Sequence, residues 1–258
     1  MLRTNKYLKI GALSLLASSM GILSQTSSVL AHSLLKVATE YKNSASGADF
    51  KNYDDDQVVS GLFQNWLSSN GLPMVSDLGK TYGGPSGPIT QYDQVTQEAY
   101  WWENEVGPLN TPLTKVTVAG IEGLGISFPK NFYPTGSNND STEMAAAHWQ
   151  IDLDIHNLNK NHLIFAMHAD DDALAYVDGE LFIDDGGTHA MSVPAAIGQK
   201  DLSVGEHTLD IFFADRYPVQ AGIEFSYVVT PEPINCVGAF LALGLGAFVK
   251  KKTNSKIR

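Results

Sequence analysis

Two clusters of aspartates stand at the ends of one short stretch, ADDDALAYVDGELFIDDGG, which runs from residue 169 to residue 187. Asp178-Gly179 lies between two apolar runs, which is the strongest short-range signal of a two-residue β-hairpin turn. In the register that this turn sets, the facing pairs are Val177 with Glu180, Tyr176 with Leu181, Leu174 with Ile183, and Asp172 with Asp185. The stretch therefore predicts that the carboxylates meet at the open end of one hairpin.

Opposed carboxylates favour a bound cation. Like charges directly opposite each other in a sheet are destabilising, and Asp170, Asp171 and Asp184 crowd beside the predicted Asp172–Asp185 pair. Ca²⁺ takes about six to eight oxygen ligands from carboxylates, carbonyls and water, whereas a structural zinc site needs cysteine and histidine. We therefore expect a Ca²⁺ site built from Asp170, Asp171, Asp172 and Asp185. The alternative is that these are ordinary turn aspartates. Asp54–Asp56 in YDDDQ form a second triplet, which we interpret as part of a solvated loop.

Other polar groups are compatible with chemistry but point to it less strongly. Asp152 and Asp154 share one face of a predicted strand, where they could join the cation site or act as a glycosidase acid–base pair. His156, His162 and His168 are interpreted as exposed or hydrogen-bonded strand residues rather than a metal cluster. The chain shows no serine-hydrolase elbow, phosphate-binding loop or dinucleotide fingerprint.

The elements that must position these residues are predicted to be strands. Short alternating runs punctuated by turns follow one another from residue 113 onward, namely LTKVTVAG, GISFPKNFYP, HWQIDLDIH, HLIFAMHA, ALAYV, ELFID, HTLDIFFA and IEFSYVV. This pattern predicts a mainly β protein with an antiparallel β-sandwich. The missing long helical periods argue against an α/β enzyme fold. AYWWENEV concentrates aromatic side chains that we expect to be a buried anchor.

Both termini have the features of export signals. Arg3, Lys6 and Lys9 precede an apolar run from Ile10 to Ile22, and Val29 and Ala31 are small residues at the spacing of a signal peptidase site. The alternative is an uncleaved membrane anchor, but the apolar run is shorter than the roughly 20 residues that a spanning helix needs. Residues 1–31 are therefore predicted to be a signal peptide with a signal helix, cut after Ala31.

The C-terminal segment 231–258 has three parts in a fixed order. Pro231-Glu232-Pro233 precedes an apolar stretch from Ile234 to Val249, which predicts a transmembrane helix, and a cluster of lysines follows that should stay cytoplasmic. This order resembles the PEP-CTERM sorting signal of bacteria, which implies recognition by exosortase, cleavage, and delivery to the cell surface or extracellular matrix. A permanent C-terminal membrane anchor is the alternative.

The charge of the intervening body limits its partners. The chain has 17 basic and 28 acidic residues; three basic residues lie in the signal and five follow the tail helix, which leaves nine against 28 acids, a charge of −19. Such a surface repels nucleic acid and anionic lipid and attracts cations. The single cysteine, Cys236, lies in the tail, so the body has no disulfide. Residues 32–230 are long enough for one sizeable core.

The segments FAMHADDDALAYVDGELFIDDGGTHA and LSVGEHTLDIFFADRYPVQAGIEFSYVVT resemble the fibro-slime domain. ADFKN, LPMVSDLG, AYWWENEV and KNFYPTG follow the same order, so the resemblance covers residues 47–230. Ala169, Ala175 and Asp215 depart from the family pattern. The fibro-slime hairpin is in turn similar to the β-sandwich of anthrax protective antigen and yeast flocculins. That resemblance implies that Asp170 and Asp171 are joined by a cis peptide and hold a Ca²⁺ ion that contacts sugar hydroxyls.

Taken together, these features predict an exported, non-catalytic protein of the cell surface or extracellular matrix. Its expected role is adhesion or matrix building, with extracellular glycan or matrix components as partners and Ca²⁺-assisted glycan contact. A carbohydrate-active enzyme and a purely structural matrix protein remain the two alternatives.

Overall fold

The computed structural model describes residues 36–40, 49, 55–103, 107–108, 112–130, 132, 146–156, 161–191, 195–217 and 220–231. The predicted signal peptide, 1–31, and the sorting segment after Pro231 lie outside these residues, so both stay predictions. Within the part that is described, no helix is long and apolar enough to cross a membrane.

Strands dominate the described residues, as the alternating patterns predict. The N-terminal strands are β1 Lys36–Glu40, β2 Phe63–Leu67, β3 Pro73–Val75, β4 Gly107–Pro108, β5 Thr114–Val118 and β6 Ile121–Phe128. The later strands are β7 Ala146–Ile155, β8 Asn161–Asp170, β9 Asp172–Val177, β10 Glu180–Asp185, β11 Ala196–Leu202, β12 Gly205–Ala214 and β13 Gly222–Pro231. A short helix, α1 Asp77–Thr81, is capped by the Ser76 hydroxyl, which accepts from Gly79 N–H, and a 3₁₀ turn spans Tyr100–Trp102.

The strands form two antiparallel sheets, which confirms the prediction of a mainly β, sandwich-like architecture. The larger sheet has the strand order β3-β2-β10-β9-β12-β7-β1-β4, and the smaller has the order β11-β8-β13-β6-β5. Their facing sides enclose the main core, in which Trp149, Ile151 and Leu153 of β7 meet Phe165 of β8 and Phe225 of β13. Residues two apart along a strand share a face, so alternate residues of each strand supply this core.

A second core covers the opposite face of the larger sheet. All six residues of β9 are buried, because Leu174 and Tyr176 pack into this second cluster while Ala173, Ala175 and Val177 face the first. The covering layer comes from residues 55–103 and includes Phe63, Trp101 and Trp102. The aromatic segment AYWW is thus the buried anchor that its sequence predicts. The third layer was not predicted.

The β9–β10 hairpin forms, but its predicted register is correct only beside the turn. Val177 faces Glu180 and Tyr176 faces Leu181, after which a β-bulge at Phe182 shifts the pairing by one residue. Ile183 therefore faces Ala175, and Asp185 faces Ala173 instead of Asp172. A one-residue shift moves every later side chain to the other face. The prediction that Asp172 and Asp185 oppose each other, and that Ile183 shares a face with Leu174, is therefore wrong.

Candidate functional site

The acidic residues of the hairpin lie where the chain crosses from one sheet to the other. β8 belongs to the smaller sheet and ends at Asp170, whereas β9 belongs to the larger sheet and begins at Asp172. In the larger sheet, β9 pairs on one side with the end of β10 and on the other with the end of β12. Residues 170–172, 184–189 and 215–217 therefore meet at one place, which we call the carboxylate end.

Asp171 is the corner residue, and its carboxylate holds two loops together. His189 N–H donates to its Oδ1 atom at 3.1 Å, and Arg216 N–H and Tyr217 N–H both donate to Oδ2 at 2.7 Å. The peptide bond between Asp170 and Asp171 is cis, in agreement with the resemblance to the flocculin hairpin. The buried carboxylate of Asp171 thus ties loop 186–189 to loop 215–217.

Asp172 forms an ion pair inside the protein. Arg216 donates from Nε to Asp172 Oδ2 at 2.6 Å and from Nη2 to Oδ1 at 3.1 Å, and both side chains are almost fully buried. Gly187 N–H adds a third bond to Oδ1 at 2.7 Å. The guanidinium also lies over the Trp101 ring, 4.9 Å from its centroid, so Arg216 joins the carboxylate end to the second core.

Asp184 and Asp185 lie on opposite faces of β10 because they are consecutive in a strand. Asp184 accepts from Gly61 N–H through Oδ2 at 2.7 Å, which attaches the end of β10 to the covering layer. Asp185 is buried on the side of the main core, where His189 Nε2 lies 3.7 Å from its Oδ1 atom and 3.4 Å from its backbone carbonyl. No described hydrogen-bond donor reaches Asp185 Oδ2.

Burial of so many carboxylates raises their proton affinity. Burial, followed by the charges of Asp172 and Asp170, raises the pKa of Asp171 well above its usual range. Burial also raises the pKa of Asp185 to about 6, although the neighbouring His189 opposes the shift. Asp170, Asp171, Asp172 and Asp185 are all buried here, beside the buried guanidinium of Arg216. The carboxylate end therefore concentrates buried carboxyl groups whose charged form is disfavoured unless a cation binds.

The four residues predicted to bind Ca²⁺ do not all fit such a site. Both oxygens of Asp172 are already bonded to a guanidinium, and Asp185 lies on the other face of the larger sheet. Among the described side chains, no three His, Cys, Asp or Glu converge as a metal ion would need. Asp170 and Asp171 stay the predicted ligands, because they are adjacent hard oxygen donors and Ca²⁺ completes its shell with carbonyls and water.

The Gly-Gly turn closes the carboxylate end against the covering layer. Gly187 adopts a φ of +92°, and a Cβ there would lie 2.9 Å from Val59 Cβ, so this position requires glycine. Val59 N–H donates to the Gly186 carbonyl at 2.7 Å, and Asp55 N–H donates to the Thr188 carbonyl at 2.7 Å. Asp55 also accepts from Ser86 N–H. Asp55 is therefore a structural residue of this turn, which corrects its interpretation as part of a solvated loop.

Asp152 and Asp154 lie far from the carboxylate end. Asp152 pairs with Thr208 and Asp154 with Glu206 in β12, six residues or more from Ala214, which is about 20 Å along a strand. They line a separate pocket of about 380 Å³ beside the hairpin turn, together with Asp178, Glu206 and His207. The possibility that these two aspartates join the predicted cation site is therefore wrong.

Two of the three histidines lie within bonding distance of an aspartate, in line with their interpretation as exposed or hydrogen-bonded strand residues. His162 Nδ1 lies 2.7 Å from Asp201 Oδ1, and His156 Nε2 lies 3.0 Å from Asp154 Oδ2. His168 is half-buried, and this burial lowers its pKa. The three do not form a metal cluster among the described residues.

Arg216 is the residue of this end that the sequence interpretation missed. A signal existed, because Arg216 is the single arginine among the nine basic residues between Ala31 and Ile234; the other eight are lysines. Arginine is preferred for buried ion pairs, since its planar guanidinium bonds a carboxylate at two points. An isolated arginine in a strongly acidic body therefore indicates a buried partner carboxylate.

Comparisons with known proteins give partial similarities. No family model and no curated protein matches the chain. Among solved structures, a β-glucosidase from Kluyveromyces marxianus in complex with glucose shares 14% identity over 48% of this chain and 15% of its own, with a TM-score of 0.31. The chain thus covers a small part of that enzyme.

Two isolated domains are also similar. The PA14 domain of the MpAFP antifreeze protein shares 14% identity over 44% of this chain and 66% of its own, with a TM-score of 0.29. The PA14 sugar-binding domain from an RTX adhesin shares 15% identity over 67% of this chain and 91% of its own, with a TM-score of 0.32. At these identities and TM-scores the similarities carry no functional argument.

Proposed function

We propose that the protein is an exported, non-catalytic binding protein of the cell surface or extracellular matrix, with its ligand site at the carboxylate end. The observation that carries this proposal is the concentration of buried carboxyl groups, those of Asp170, Asp171, Asp172 and Asp185, where loops 186–189 and 215–217 meet. Buried charges are normally paired or coordinate a metal. Clustered buried carboxyl groups with raised pKa values at converging loops therefore favour a binding site over a purely structural core.

Ca²⁺ is the cation that the donor set favours. Asp170 and Asp171 would hold it, and Asp172 is left to its ion pair with Arg216. A bound Ca²⁺ supplies a positive centre that attracts the hydroxyl oxygens of a glycan to an otherwise acidic surface. Three hydrogen bonds from backbone N–H groups orient the Asp171 carboxylate at the corner between the two sheets. These bonds hold the carboxylate in place without an ion.

The separate acidic pocket that Asp152 and Asp154 line gives weaker support to an enzymatic role than the carboxylate end gives to binding. A glycosidase needs a general acid whose pKa is raised by burial. The side chain of Asp154 is 47% exposed and bonds the even more exposed His156, which is a poor setting for such an acid. The proposal therefore assigns no catalysis to Asp152 and Asp154.

We also propose that the protein is exported and then sorted to the cell surface. Signal peptidase would remove residues 1–31, and exosortase would act at Pro231-Glu232-Pro233, with transient membrane anchoring by the following apolar segment. The acidic body, with a charge of −19 between Ala31 and Ile234, suits neutral glycan or matrix partners and not nucleic acid.

Thermal unfolding of the full chain in EDTA and in excess Ca²⁺ tests the cation site. Ligand at a hundred times its dissociation constant adds about 2.7 kcal/mol when it binds only the native state, so we expect a clear rise in Tm. Asp170→Asn should abolish the rise, whereas the control Asp154→Asn, at the far end of the sheet, should keep it. An unchanged Tm in the wild type would reject the cation and favour a purely structural matrix protein. Hydrolysis of a glycan that Asp152→Asn removes would favour the enzyme.

A further inference from the structure

Trp66 stands apart from the other three tryptophans of the chain. Its side chain is 57% exposed, whereas Trp101, Trp102 and Trp149 are 1%, 5% and 0% exposed. It is also the one aromatic residue among the large hydrophobic residues exposed in the described part of the chain. Tryptophan is usually highly buried, so an exposed indole on a regular strand is a candidate for contact with a ligand.

The position of Trp66 on the sheet is fixed by its neighbour in β10. Leu67 N–H donates to the Gly179 carbonyl at 2.9 Å, and Trp66 lies directly opposite Glu180. Because the adjacent pair makes the hydrogen bond, Trp66 and Glu180 form a non-hydrogen-bonded pair. Their side chains lie on the same face, with Cβ atoms about 4.5–5.5 Å apart. The indole therefore has a carboxylate beside it.

A lysine from the other sheet completes the surface. Lys200 Nζ donates to Glu180 Oε2 at 2.5 Å, and Lys200 belongs to β11, the edge strand of the smaller sheet. β11 packs against β10, and in the larger sheet β2 and β3 lie beyond β10; we call these two strands the ledge. Trp66 lies on this ledge, and the Glu180–Lys200 pair lies where the ledge meets the smaller sheet.

The small area of this surface indicates what kind of partner it fits. An indole offers about 150–250 Å² of contact area, far less than the roughly 800 Å² that each partner buries in a stable protein complex. A flat apolar face bordered by a hydrogen-bond acceptor and a donor matches one pyranose ring, whose C–H face is apolar and whose edge carries hydroxyls. The net charge of −11 disfavours an anionic polysaccharide.

We propose that Trp66, Glu180 and Lys200 form a contact site for a neutral glycan, with the indole stacked on one pyranose ring. This proposal rests on the glycan-binding role argued above, but it places a contact away from the carboxylate end. Glu180 and Asp185 begin and end β10, so about 17 Å of strand separates the two places. A glycan chain of several sugars is long enough to contact both.

Tryptophan fluorescence gives a direct test, because acrylamide reaches the exposed Trp66 before the three buried tryptophans. The probes are cellohexaose, maltohexaose and xylohexaose, each titrated into the full chain with Ca²⁺ present. At least one should reduce the acrylamide quenching constant of the wild type about twofold or more. By calorimetry, Trp66→Ala should weaken binding of that probe at least tenfold, and Trp66→Phe should weaken it less. The control Val95→Ala, at another exposed apolar residue, should bind like the wild type.

The possible outcomes separate this inference from the proposed function. Absence of protection by all three probes, or wild-type affinity in Trp66→Ala, overturns the inference. If Trp66→Ala binds normally and Asp170→Asn does not, the carboxylate end alone binds the glycan. If Trp66-dependent binding persists in EDTA and in Asp170→Asn, the ledge is a glycan site and the Ca²⁺-assisted glycan contact of the proposed function fails.

Discussion

Asp172 and Arg216 form a two-point ion pair inside the protein, with Arg216 Nε 2.6 Å from Oδ2 and Nη2 3.1 Å from Oδ1. The pair joins the first residue of β9 to the loop that follows β12, and the guanidinium continues to the face of Trp101. Arg216 thus neutralises one of the predicted calcium ligands with a cation of the chain itself. Asp170 and Asp171 are left as the proposed ligands of a cation, buried beside this pair.

Removal of Arg216 should be strongly destabilising. Breaking a buried ion pair leaves an uncompensated charge and costs about 3–5 kcal/mol, so Arg216→Met should lose that much free energy of unfolding in urea denaturation. The double variant Arg216→Met/Asp172→Asn should recover part of the loss, because it removes the orphaned carboxylate. Lys115→Met, which breaks the exposed pair with Glu122, is the control and should cost less than about 1 kcal/mol. Equal effects in both single variants would contradict the buried pairing.

Substitution of Asp171 should loosen two loops at once. Asparagine keeps one oxygen, but its amide group would face backbone N–H donors and leave them unbonded, at about 1–3 kcal/mol for each buried group. In Asp171→Asn we expect faster hydrogen exchange at His189, Arg216 and Tyr217, measured in EDTA so that metal loss plays no part. Asp93→Asn is the matched control, since Asp93 also accepts backbone bonds, from Val95 and Thr96, but at an exposed turn. Unchanged exchange at loop 215–217 would show that these bonds are not made in solution.

The free energy of unfolding should fall as the pH rises from about 4 to about 6, because Asp185 loses its proton in this range. Burial raises its pKa from 3.8 to about 6, so between these values the native state binds more protons than the unfolded state. The stabilising contribution is complete below pH 3.8 and is lost as the pH passes 6. Comparison of wild type with Asp185→Asn in EDTA should show the slope only in the wild type, with a total of about 3 kcal/mol. Parallel pH profiles for the two proteins would be inconsistent with this shift.

Much of the fold was predictable because it follows from local pattern. The alternation in HWQIDLDIH and HTLDIFFA predicts β7 and β12, and Asp178-Gly179 predicts the hairpin turn. Both signals depend on neighbouring residues alone. β11 was missed because AIGQKDL contains few β-branched or aromatic residues; its place at the edge of the smaller sheet, not its propensity, makes it a strand.

The candidate site was predictable only in outline. The sequence placed Asp170 and Asp171 at a strand end, but the bulge at Phe182 separates Asp185 from Asp172, and no residue type in ELFIDD announces a bulge. The pairing of Asp172 with Arg216 spans 44 residues, and the exposure of Trp66 depends on how the two sheets pack. Such relationships are set by tertiary packing, which local pattern cannot report.

The layer that covers the second face of the larger sheet has a consequence for how the chain folds. Trp102 Nε1 donates to the Phe213 carbonyl across 111 residues, and Asp55 N–H donates to Thr188 Oγ1 across 133 residues. Residues 55–103 therefore leave the ribosome long before the strands on which they pack. Contacts between such distant segments form slowly, so this layer should close last. Until it does, Tyr176 and Phe212 remain open to solvent and to chaperones.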